Sequence, residues 1–228
     1  MTENFITLDH VAKSYPSARD GEPLQILKDL DLSIKRGSRT AIIGPSGSGK
    51  STLMSLMAGL DRPSAGRVSV MSQDLGELSE SQLGQFRARN LGIVFQQFHL
   101  ISHLTAEENV ALPLRILGAT PHEASVSAQR ALADVGLEHR IDHVPSRLSG
   151  GECQRVAIAR AMIAKPAGIL ADEPSGNLDV RTGDQVMGLL FELTKAHGIT
   201  LILVTHNEEL AKRCDQRLML QSGRLEHV

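Results

Sequence analysis

Apolar and polar residues alternate near both ends of the chain, and a period of two predicts β-strands there. Near the start, Ile6 and Leu8 alternate with polar residues, and a second alternating run covers 30–34. The segment 16–23 contains Pro, Gly and Asp, which predicts a turn between the two runs. We therefore expect an antiparallel β layer at the amino-terminal end. Alternation over 217–225 predicts a closing hairpin.

Short apolar runs in the rest of the chain are separated by segments with a helical period. Runs without polar alternation are typical of parallel strands that are covered on both faces. Between 105 and 136 the period is helical, with an expected break at Pro113 and a new start at Pro121. This order predicts an α/β fold with a parallel sheet and a helical subdomain. The predicted strands are 40–43, 67–71, 91–95, 168–171 and 200–204, and the other predicted helices are 51–58, 79–90, 149–164 and 182–196.

Composition excludes several classes of protein. The 228 residues are 41% hydrophobic, as in ordinary globular proteins, and no stretch approaches the roughly 18 apolar residues of a membrane span. The start lacks the basic and apolar regions of a signal peptide, so we expect a soluble chain that is not secreted. A net charge of -2 disfavours nucleic acid as a partner. Cys153 and Cys214 lie far apart, which predicts a reducing compartment, no disulfide and no structural zinc.

A glycine-rich segment carries the most specific chemical signal. Gly44-Pro45-Ser46-Gly47-Ser48-Gly49-Lys50-Ser51 matches the P-loop pattern G-x-x-x-x-G-K-[ST] between a predicted strand and a predicted helix. Its backbone N–H groups and the positive end of the helix are expected to bind the phosphates of ATP. Lys50 would contact the β- and γ-phosphates, Ser51 would bind Mg²⁺, and Thr52 would assist at a nearby phosphate. The alternative is a Gly/Ser turn that fits by coincidence.

Two adjacent carboxylates end a later apolar strand. Asp172 and Glu173 follow the run 169–171 and precede Pro174. Successive strand residues point to opposite sides, so the two acids can have separate roles. We expect Asp172 to hold Mg²⁺ through water and Glu173 to polarise the attacking water. Without the P-loop upstream, a solvated acidic turn would be the better interpretation.

The segment Leu148-Ser149-Gly150-Gly151-Glu152, followed by Gln154 and Arg155, resembles the signature sequence of the ABC ATPases. The motifs also follow each other in the order of that family, and the resemblance covers essentially the whole chain. It implies a P-loop NTPase fold of the ABC type, with an amino-terminal antiparallel β layer and an inserted α-helical subdomain. The implied single domain spans 1–228, with a RecA-like core and β layer from 1–95 and 166–228 and the helical subdomain at about 96–165.

The resemblance also implies that one chain is half of an enzyme. Ser149, Gly150 and Gly151 would complete the ATP site of a second copy, so the expected partner is another copy in an ATP-sandwich homodimer. Closing of this dimer around ATP and its opening after hydrolysis would be the mechanical output.

Four further site residues follow from the family pattern alone. Tyr15 matches the aromatic residue that stacks on adenine, with a structural tyrosine as the alternative. Gln96, rather than the neighbouring Gln97, matches the glutamine that reaches Mg²⁺ and the water, with a surface amide as the alternative. Asp179 lies in a loop that crosses to the other subunit, and His206 matches the histidine that contacts the γ-phosphate. No metal other than Mg²⁺ is implied.

Within the family, the segment 171–179 resembles the corresponding segment of the branch that contains lipoprotein-release, macrolide-export and cell-division ATPases. The segments 87–96 and 104–110 point the same way, and Ser175 in place of threonine is a mild departure. The branch implies ATP hydrolysis that powers a separate membrane permease, with export or extraction of a lipoprotein or hydrophobic substrate. The chain would then be peripheral, at the cytoplasmic face of the bacterial inner membrane.

Two other classes of function stay open at this stage. In the first, the ATPase pair moves a membrane partner that controls an extracytoplasmic process without moving cargo. In the second, the chain is a soluble ABC ATPase of translation or DNA repair. Members of that class usually carry two nucleotide modules or a long coiled coil, and the sequence contains neither.

Two local features generate separate hypotheses. Phe98, Leu100, Ile101 and Leu104 form an apolar cluster where the family receives a helix of the membrane subunit; alternatively, they pack under the helical subdomain. Cys153 lies in the first turn of a predicted helix, where the pKa of a thiol can be depressed. Its alkylation would then block dimer closure, the alternative being an unreactive small residue.

Overall fold

The computed structural model describes residues 4–16, 21 and 23–228, so most of the predicted turn at 16–23 lies outside the described residues. The chain divides into two compact units, of which the first contains Met1–Leu83 and Thr200–Val228 and the second contains Gly84–Ile199. The second unit includes strands that we assigned to the RecA-like core. The predicted domain boundaries therefore stay a prediction.

Apart from the short strand at 73–74 and the short helix at 208–211, which the pattern does not predict, the elements follow the predicted order. The strands are β1 (Asn4–Tyr15), β2 (Leu24–Lys35), β3 (Arg39–Ile43), β4 (Ala65–Val70), β5 (Gln73–Asp74), β6 (Leu91–Phe95), β7 (Gly168–Asp172), β8 (Thr200–Val204), β9 (Gln216–Gln221) and β10 (Arg224–His227). The helices are α1 (Lys50–Met57), α2 (Glu80–Asn90), α3 (Ala106–Ile116), α4 (Pro121–Asp134), α5 (Gly150–Met162), α6 (Val180–Ala196) and α7 (Glu208–Ala211).

The first unit contains the antiparallel layer, with strands in the order β2-β1-β4-β5. Ile6 pairs with Ile34 and Leu8 pairs with Leu32, so the alternating apolar residues of both strands lie on one buried face. The predicted antiparallel layer is confirmed.

The first unit also contains strands in the order β10-β9-β3-β8. β3 lies parallel to both β8 and β9, and all five residues of β8 are buried. β9 and β10 form the antiparallel hairpin that the alternation predicts. Burial on both faces explains why β8 is apolar after Thr200.

The second unit combines one parallel strand pair with most of α2 and the four helices α3 to α6. β6 pairs with β7 in a register that places Phe95 opposite Asp172. Helix α5 contacts α3, α4, α6 and β6, and its residues from Val156 to Ala159 are nearly fully buried. The predicted α/β fold with a parallel sheet and helices is confirmed. Within the described part of the chain, every helix is too short or too polar to span a membrane.

The predicted break at Pro113 is wrong, because α3 continues through that residue. A proline inside a helix removes one hydrogen bond and costs about 3 kcal/mol. Two features offset this cost: Thr105 and Glu108 form a reciprocal capping box at the start of α3, and the fully buried Asn109 side chain donates to Leu104 O and Ile101 O, each at 3.1 Å. Packing against α4 and α5 stabilises the rest of the helix.

Candidate functional site

The P-loop joins β3 to α1 through three glycines with positive φ. Gly44, Gly47 and Gly49 have φ values of 152°, 77° and 101°. A Cβ atom on Gly44 would lie 2.2 Å from Leu220 O, and one on Gly49 would lie 2.9 Å from Ile26 Cγ2. The loop conformation therefore requires glycine at its first and last glycine positions for steric as well as torsional reasons.

Donor groups are concentrated where the P-loop enters α1. The first-turn N–H groups of a helix have no carbonyl partner within it, and at this start, after Gly49, no side chain of the described residues caps them. Lys50 Nζ folds back over the loop and donates to Gly44 O at 2.8 Å and to Pro45 O at 2.9 Å. The buried Ser48 Oγ has no hydrogen-bond partner among the described residues. This arrangement suits a multiply charged anion.

Tyr15 ends β1, and 38% of its surface is exposed. Its hydroxyl donates to Asp61 Oδ2 at 2.7 Å. This bond to a carboxylate raises the pKa of Tyr15, and a hydrogen bond from the Thr52 side chain acts in the opposite direction. The structure therefore brings Tyr15 and Thr52, two of the predicted site residues, into contact.

His206 follows β8 in the first unit and is exposed. The buried Thr205 accepts a hydrogen bond from Asn207 N at 3.1 Å, and Asn207 in turn caps α7. His206 thus lies on a short connection that is held on both sides.

In the second unit, Gln96 and Glu173 each follow the last residue of one of two paired parallel strands. The pairing of Phe95 with Asp172 places both residues at the carboxyl-terminal edge of the pair. Ligands of α/β proteins bind at this edge. The structure therefore agrees with placing Gln96, Asp172 and Glu173 in one site.

Gln96 is docked onto the loop that follows Glu173. Its Nε2 donates to Asn177 Oδ1 at 3.1 Å, and Asn177 Nδ2 donates to Gln96 O at 3.0 Å. A Cβ atom on Gly176 would lie 2.8 Å from Gln96 Nε2, so only glycine allows this close contact. The Gln96 side chain is thus held to this loop through its amide nitrogen.

Glu173 has a left-handed backbone with φ of 45°. Such a conformation costs a non-glycine residue about 1–3 kcal/mol and is concentrated at functional sites. The turn is held by a hydrogen bond from Gly176 N to Glu173 O at 2.9 Å. Because this φ differs from that of a strand, the half-buried Glu173 side chain does not take the direction that a continued strand would impose.

The signature segment forms a complete helix cap. Ser149 is the N-cap of α5: its Oγ accepts from Glu152 N at 3.2 Å, and Glu152 Oε2 accepts from Ser149 N at 2.8 Å. Arg140 Nε donates to Glu152 Oε1 at 3.0 Å. The bond from the Ser149 N–H and the Arg140 guanidinium hold the pKa of Glu152 below its ordinary value.

The two signature glycines have a packing role beside the predicted one. A Cβ atom on Gly151 would lie 2.4 Å from Thr182 Cγ2, and one on Gly150 would lie 3.2 Å from Leu178 Cδ2. The glycines allow the start of α5 to approach the segment 178–182. Asp179, in that segment, caps α6 and accepts from Thr182 N at 3.0 Å. Hydrogen bonds from the side chain and the backbone of Thr182 lower the pKa of Asp179.

The premise that the thiol of Cys153 has a depressed pKa is wrong. Only 6% of Cys153 is exposed, its Sγ lies 3.6 Å from Pro145 O as a donor, and burial raises its pKa. The helix-terminus effect that we expected is outweighed by the removal of the thiolate from water.

The apolar cluster 98–104 lies on a rigid turn. Phe98 and His99 have positive φ, and Arg160 donates to their carbonyl oxygens at 2.9 and 2.6 Å. Of the four apolar side chains, Ile101 is exposed at 37%, and the others are half-buried. The structure therefore leaves both interpretations of the cluster open.

The predicted site residues fall into two groups by unit. The first unit holds Tyr15, Gly44 to Thr52 and His206, and the second holds Gln96, Ser149 to Gly151, Asp172, Glu173 and Asp179. Sequence reasoning missed Lys13 and Asp61, which contact Tyr15, and Arg140, which supports the signature segment through Glu152. No pattern could have found Lys13 and Asp61, since 48 residues separate them.

Known proteins resemble this chain over nearly its full length. The protein-family model described as ABC transporter matches residues 27–176. The uncharacterized ABC transporter ATP-binding protein YbbA of Escherichia coli (strain K12) is 46% identical over 98% of this chain and 97% of its own. The lipoprotein-releasing system ATP-binding protein LolD of Shewanella frigidimarina (strain NCIMB 400) is 45% identical over 98% of this chain and 93% of its own.

Two solved structures share the fold. The dimeric ATP-binding cassette MJ0796, in a post-hydrolysis state with ADP and Pi, is 39% identical with a TM-score of 0.89 and covers 97% of this chain and 96% of its own. The protein cbiO1 of Clostridium perfringens, part of the transporter complex cbiONQ, is 31% identical with a TM-score of 0.83 and covers 98% and 87%. The predicted resemblance is confirmed, and the chain belongs to the ABC transporter family as one of its ATP-binding subunits.

Proposed function

We propose that this chain binds and hydrolyses ATP as a homodimer and thereby drives a separate membrane permease. The observation that carries the proposal is the P-loop, in which Lys50 donates to two loop carbonyl oxygens at the start of a helix without a side-chain cap. The similarity to MJ0796, a cassette with bound ADP and Pi, supports both binding and hydrolysis.

Phosphate binding would use donors that the loop already directs to one place. Lys50 would exchange its bonds to Gly44 O and Pro45 O for stronger, charge-assisted bonds to the β- and γ-phosphates. Backbone N–H groups of residues 46–52 would surround the remaining oxygens. The buried Ser48 hydroxyl would also gain a partner.

The donor set fits Mg²⁺, which prefers oxygen ligands. Ser51 would supply its hydroxyl, Asp172 would supply a carboxylate through water, and Gln96 would supply its side-chain carbonyl oxygen. When bound, Mg²⁺ neutralises negative charge on the β- and γ-phosphates.

Glu173 would polarise the attacking water, and its strained backbone sets the direction of its carboxylate. Gln96 would help to orient the same water, and His206 would contact the γ-phosphate. Because Glu173 would act on the attacking water and not on the phosphates, a change at Glu173 should reduce the rate of hydrolysis more than the affinity for ATP.

Hydrolysis is tested with Glu173→Gln, which keeps the size of the side chain and removes its ability to accept a proton. We expect ATP binding within about 3-fold of the wild-type chain and phosphate release reduced at least about 100-fold. The control is Glu192→Gln, a change at an exposed position on α6 that should alter neither quantity. Normal phosphate release by Glu173→Gln would exclude Glu173 from the reaction.

A second copy would complete each ATP site with Ser149, Gly150 and Gly151. The Ser149 hydroxyl uses its oxygen in the cap and retains its O–H to donate to the γ-phosphate. Asp179 begins the adjacent helix α6 and would line the same surface. MJ0796 forms a dimer, which supports this arrangement.

The cluster 98–104 would receive a helix of the permease at the cytoplasmic face of the bacterial inner membrane. The similarity to LolD, part of a lipoprotein-releasing system, supports extraction or export of a lipoprotein or another hydrophobic substrate. Ile101 is the member of the cluster with the greatest exposure, and Leu100 lies beside it.

The permease contact is tested by co-purification from membranes with Leu100→Asp or Ile101→Asp. We expect loss of the membrane partner while ATP binding survives. Ile116→Asp serves as the control, because Ile116 is also an exposed isoleucine, with 61% of its surface accessible. Full retention of the membrane partner by both cluster variants would contradict this docking surface.

A further inference from the structure

Lys13 is a nearly buried cation under the candidate adenine-binding tyrosine. Only 8% of its surface is exposed, and its Nζ donates to Asp61 Oδ1 and to Arg62 O, both at 2.7 Å. The same nitrogen lies 4.7 Å from the centroid of the Tyr15 ring, which is cation–π distance. The ammonium is therefore fixed by two strong acceptors and positioned against the ring.

Asp61 joins this cation to the tyrosine. One carboxylate oxygen accepts from Lys13 Nζ and from Arg62 N, and the other accepts from the Tyr15 hydroxyl at 2.7 Å. The Asp61 backbone N–H also reaches Ser55 O, on helix α1, at 3.4 Å. The hydroxyl end of Tyr15 is thus tied, through Asp61, to the helix that begins at the P-loop.

We propose that Asp61 and Lys13 are positioning residues for the base of the nucleotide. They hold the Tyr15 ring in one orientation, so that its exposed part is ready to stack on adenine. The inference rests on the proposed ATP site and adds to it the way in which the base platform is fixed. Neither residue needs to touch the nucleotide.

The physical consequence is a lower entropic cost of binding. Immobilising one side chain on binding costs an amount that corresponds to about 3- to 10-fold in affinity. A ring that is already held does not incur this loss. Asp61→Ala should therefore weaken ATP binding about 3- to 10-fold and leave inorganic tripolyphosphate binding unchanged, because tripolyphosphate has no base.

The chain offers a direct optical readout of this network. It contains one tyrosine and no tryptophan, so the phenolate absorbance and the tyrosine fluorescence report Tyr15 alone. Asp61→Ala should lower the pKa of Tyr15 toward the ordinary value of about 10, because the acceptor of the phenol proton and its negative charge are both removed. ATP should quench the fluorescence, and tripolyphosphate should not.

The decisive experiment is a double-mutant cycle between Asp61→Ala and Tyr15→Leu, read by the dissociation constants of ATP and tripolyphosphate. If Asp61 acts through the ring, Asp61→Ala has no further effect on ATP binding once Tyr15 is leucine. Asp74→Ala is the matched control: Asp74 is another carboxylate of the first unit, with an ion pair to Arg67 at 3.1 Å. It should leave the Tyr15 signal and both affinities unchanged.

Equal weakening of ATP and tripolyphosphate by Asp61→Ala, or the same loss with and without the tyrosine ring, would overturn the proposal. Asp61→Asn provides a second variant that keeps an acceptor for Tyr15 if the alanine variant does not fold. It should weaken ATP binding less than alanine does, while the Tyr15 pKa still falls. Loss of ATP and tripolyphosphate binding in Lys50→Ala establishes the ATP site independently, so failure of the positioning role is distinguishable from failure of the proposed function.

Discussion

Helices α1 and α5 both begin at glycine-containing motifs, but the N–H groups of their first turns are capped in different ways. At α1 the N-cap is Gly49 with φ of 101°, and no side chain among the described residues caps the helix. At α5 the N-cap is Ser149, and Glu152 closes a reciprocal capping box that Arg140 supports from outside. The first-turn N–H groups of α1 therefore have no side-chain acceptor among the described residues, whereas at the start of α5 the Ser149 hydroxyl accepts from the Glu152 N–H.

This difference suits the two motifs to different parts of ATP binding. In the proposed function, the helix dipole and uncapped N–H groups of α1 would provide the phosphate site within one chain. The start of α5 is held by its own capping box, so in the proposed dimer it would present Ser149 to a second ATP without a rearrangement. Binding energy should therefore depend on α1, and dimer closure should depend on the preformed shape of α5.

The largest expected effect is the loss of nucleotide from Lys50→Ala. The Lys50 ammonium would exchange its bonds to Gly44 O and Pro45 O for bonds to the phosphates. Its removal should lower ATP affinity roughly 100-fold, or about 2.7 kcal/mol. Isothermal titration calorimetry measures it. The control is Lys35→Ala, at an exposed position where β2 ends, which should bind ATP normally. Equal affinity of the two variants would remove Lys50 from the site.

The second prediction concerns the glycines of the P-loop. Gly49→Ala should lower the free energy of unfolding by about 2 kcal/mol, because a left-handed backbone and a contact with Ile26 both oppose the methyl group. Gly47→Ala should cost about 1 kcal/mol, since its φ is also positive but no atom lies within 4 Å. Urea denaturation gives both values. A larger loss for Gly47→Ala would contradict the steric account of Gly49.

A capping change at α5 should act on stability and on dimer formation, and leave ATP binding to the single chain unchanged. Glu152→Ala removes half of the capping box and the partner of Arg140, so we expect a loss of about 1–2 kcal/mol in the free energy of unfolding. Urea denaturation and ATP titration of the monomer provide the two readouts. Weaker ATP binding by monomeric Glu152→Ala would show that the two helix starts are not independent.

The smallest expected effect is a pH dependence of the same cap. The pKa of Glu152 is lowered in the folded chain, so its charge stabilises the fold above the unfolded pKa of about 4.3, and this stabilisation is lost as the pH falls through the folded value. Glu152→Gln keeps the capping geometry without the charge. Its deficit, below about 1 kcal/mol at pH 7, should vanish at lower pH in urea titrations. A deficit that grows on acidification would have the wrong sign.

The sequence predicts those parts of the molecule that depend on local patterns. The strand and the helix on either side of the P-loop, the strand that ends at Asp172 and the signature helix are confirmed because glycine spacing and apolar periods act over a few residues. The break at Pro113 is wrong, since capping and packing outweigh one lost hydrogen bond. Contacts such as Lys13 with Asp61 have no local signature, because they form only when separate segments fold together.

The depressed pKa expected for Cys153 failed for a related reason. A helix start lowers the pKa of a thiol, but the burial that opposes it depends on how α5 packs, which no residue spacing reveals. The strained φ of Glu173 was likewise not predictable, although the position of the residue after a buried strand was.

The most direct test of the shared ATP site is the mass of Glu173→Gln in saturating ATP and Mg²⁺, measured by sedimentation equilibrium. The variant should have the mass of two chains, and the added change Ser149→Arg should return it to one chain with ATP still bound. A Glu173→Gln protein that binds ATP but stays at the mass of one chain would contradict a site that needs Ser149 of a second copy.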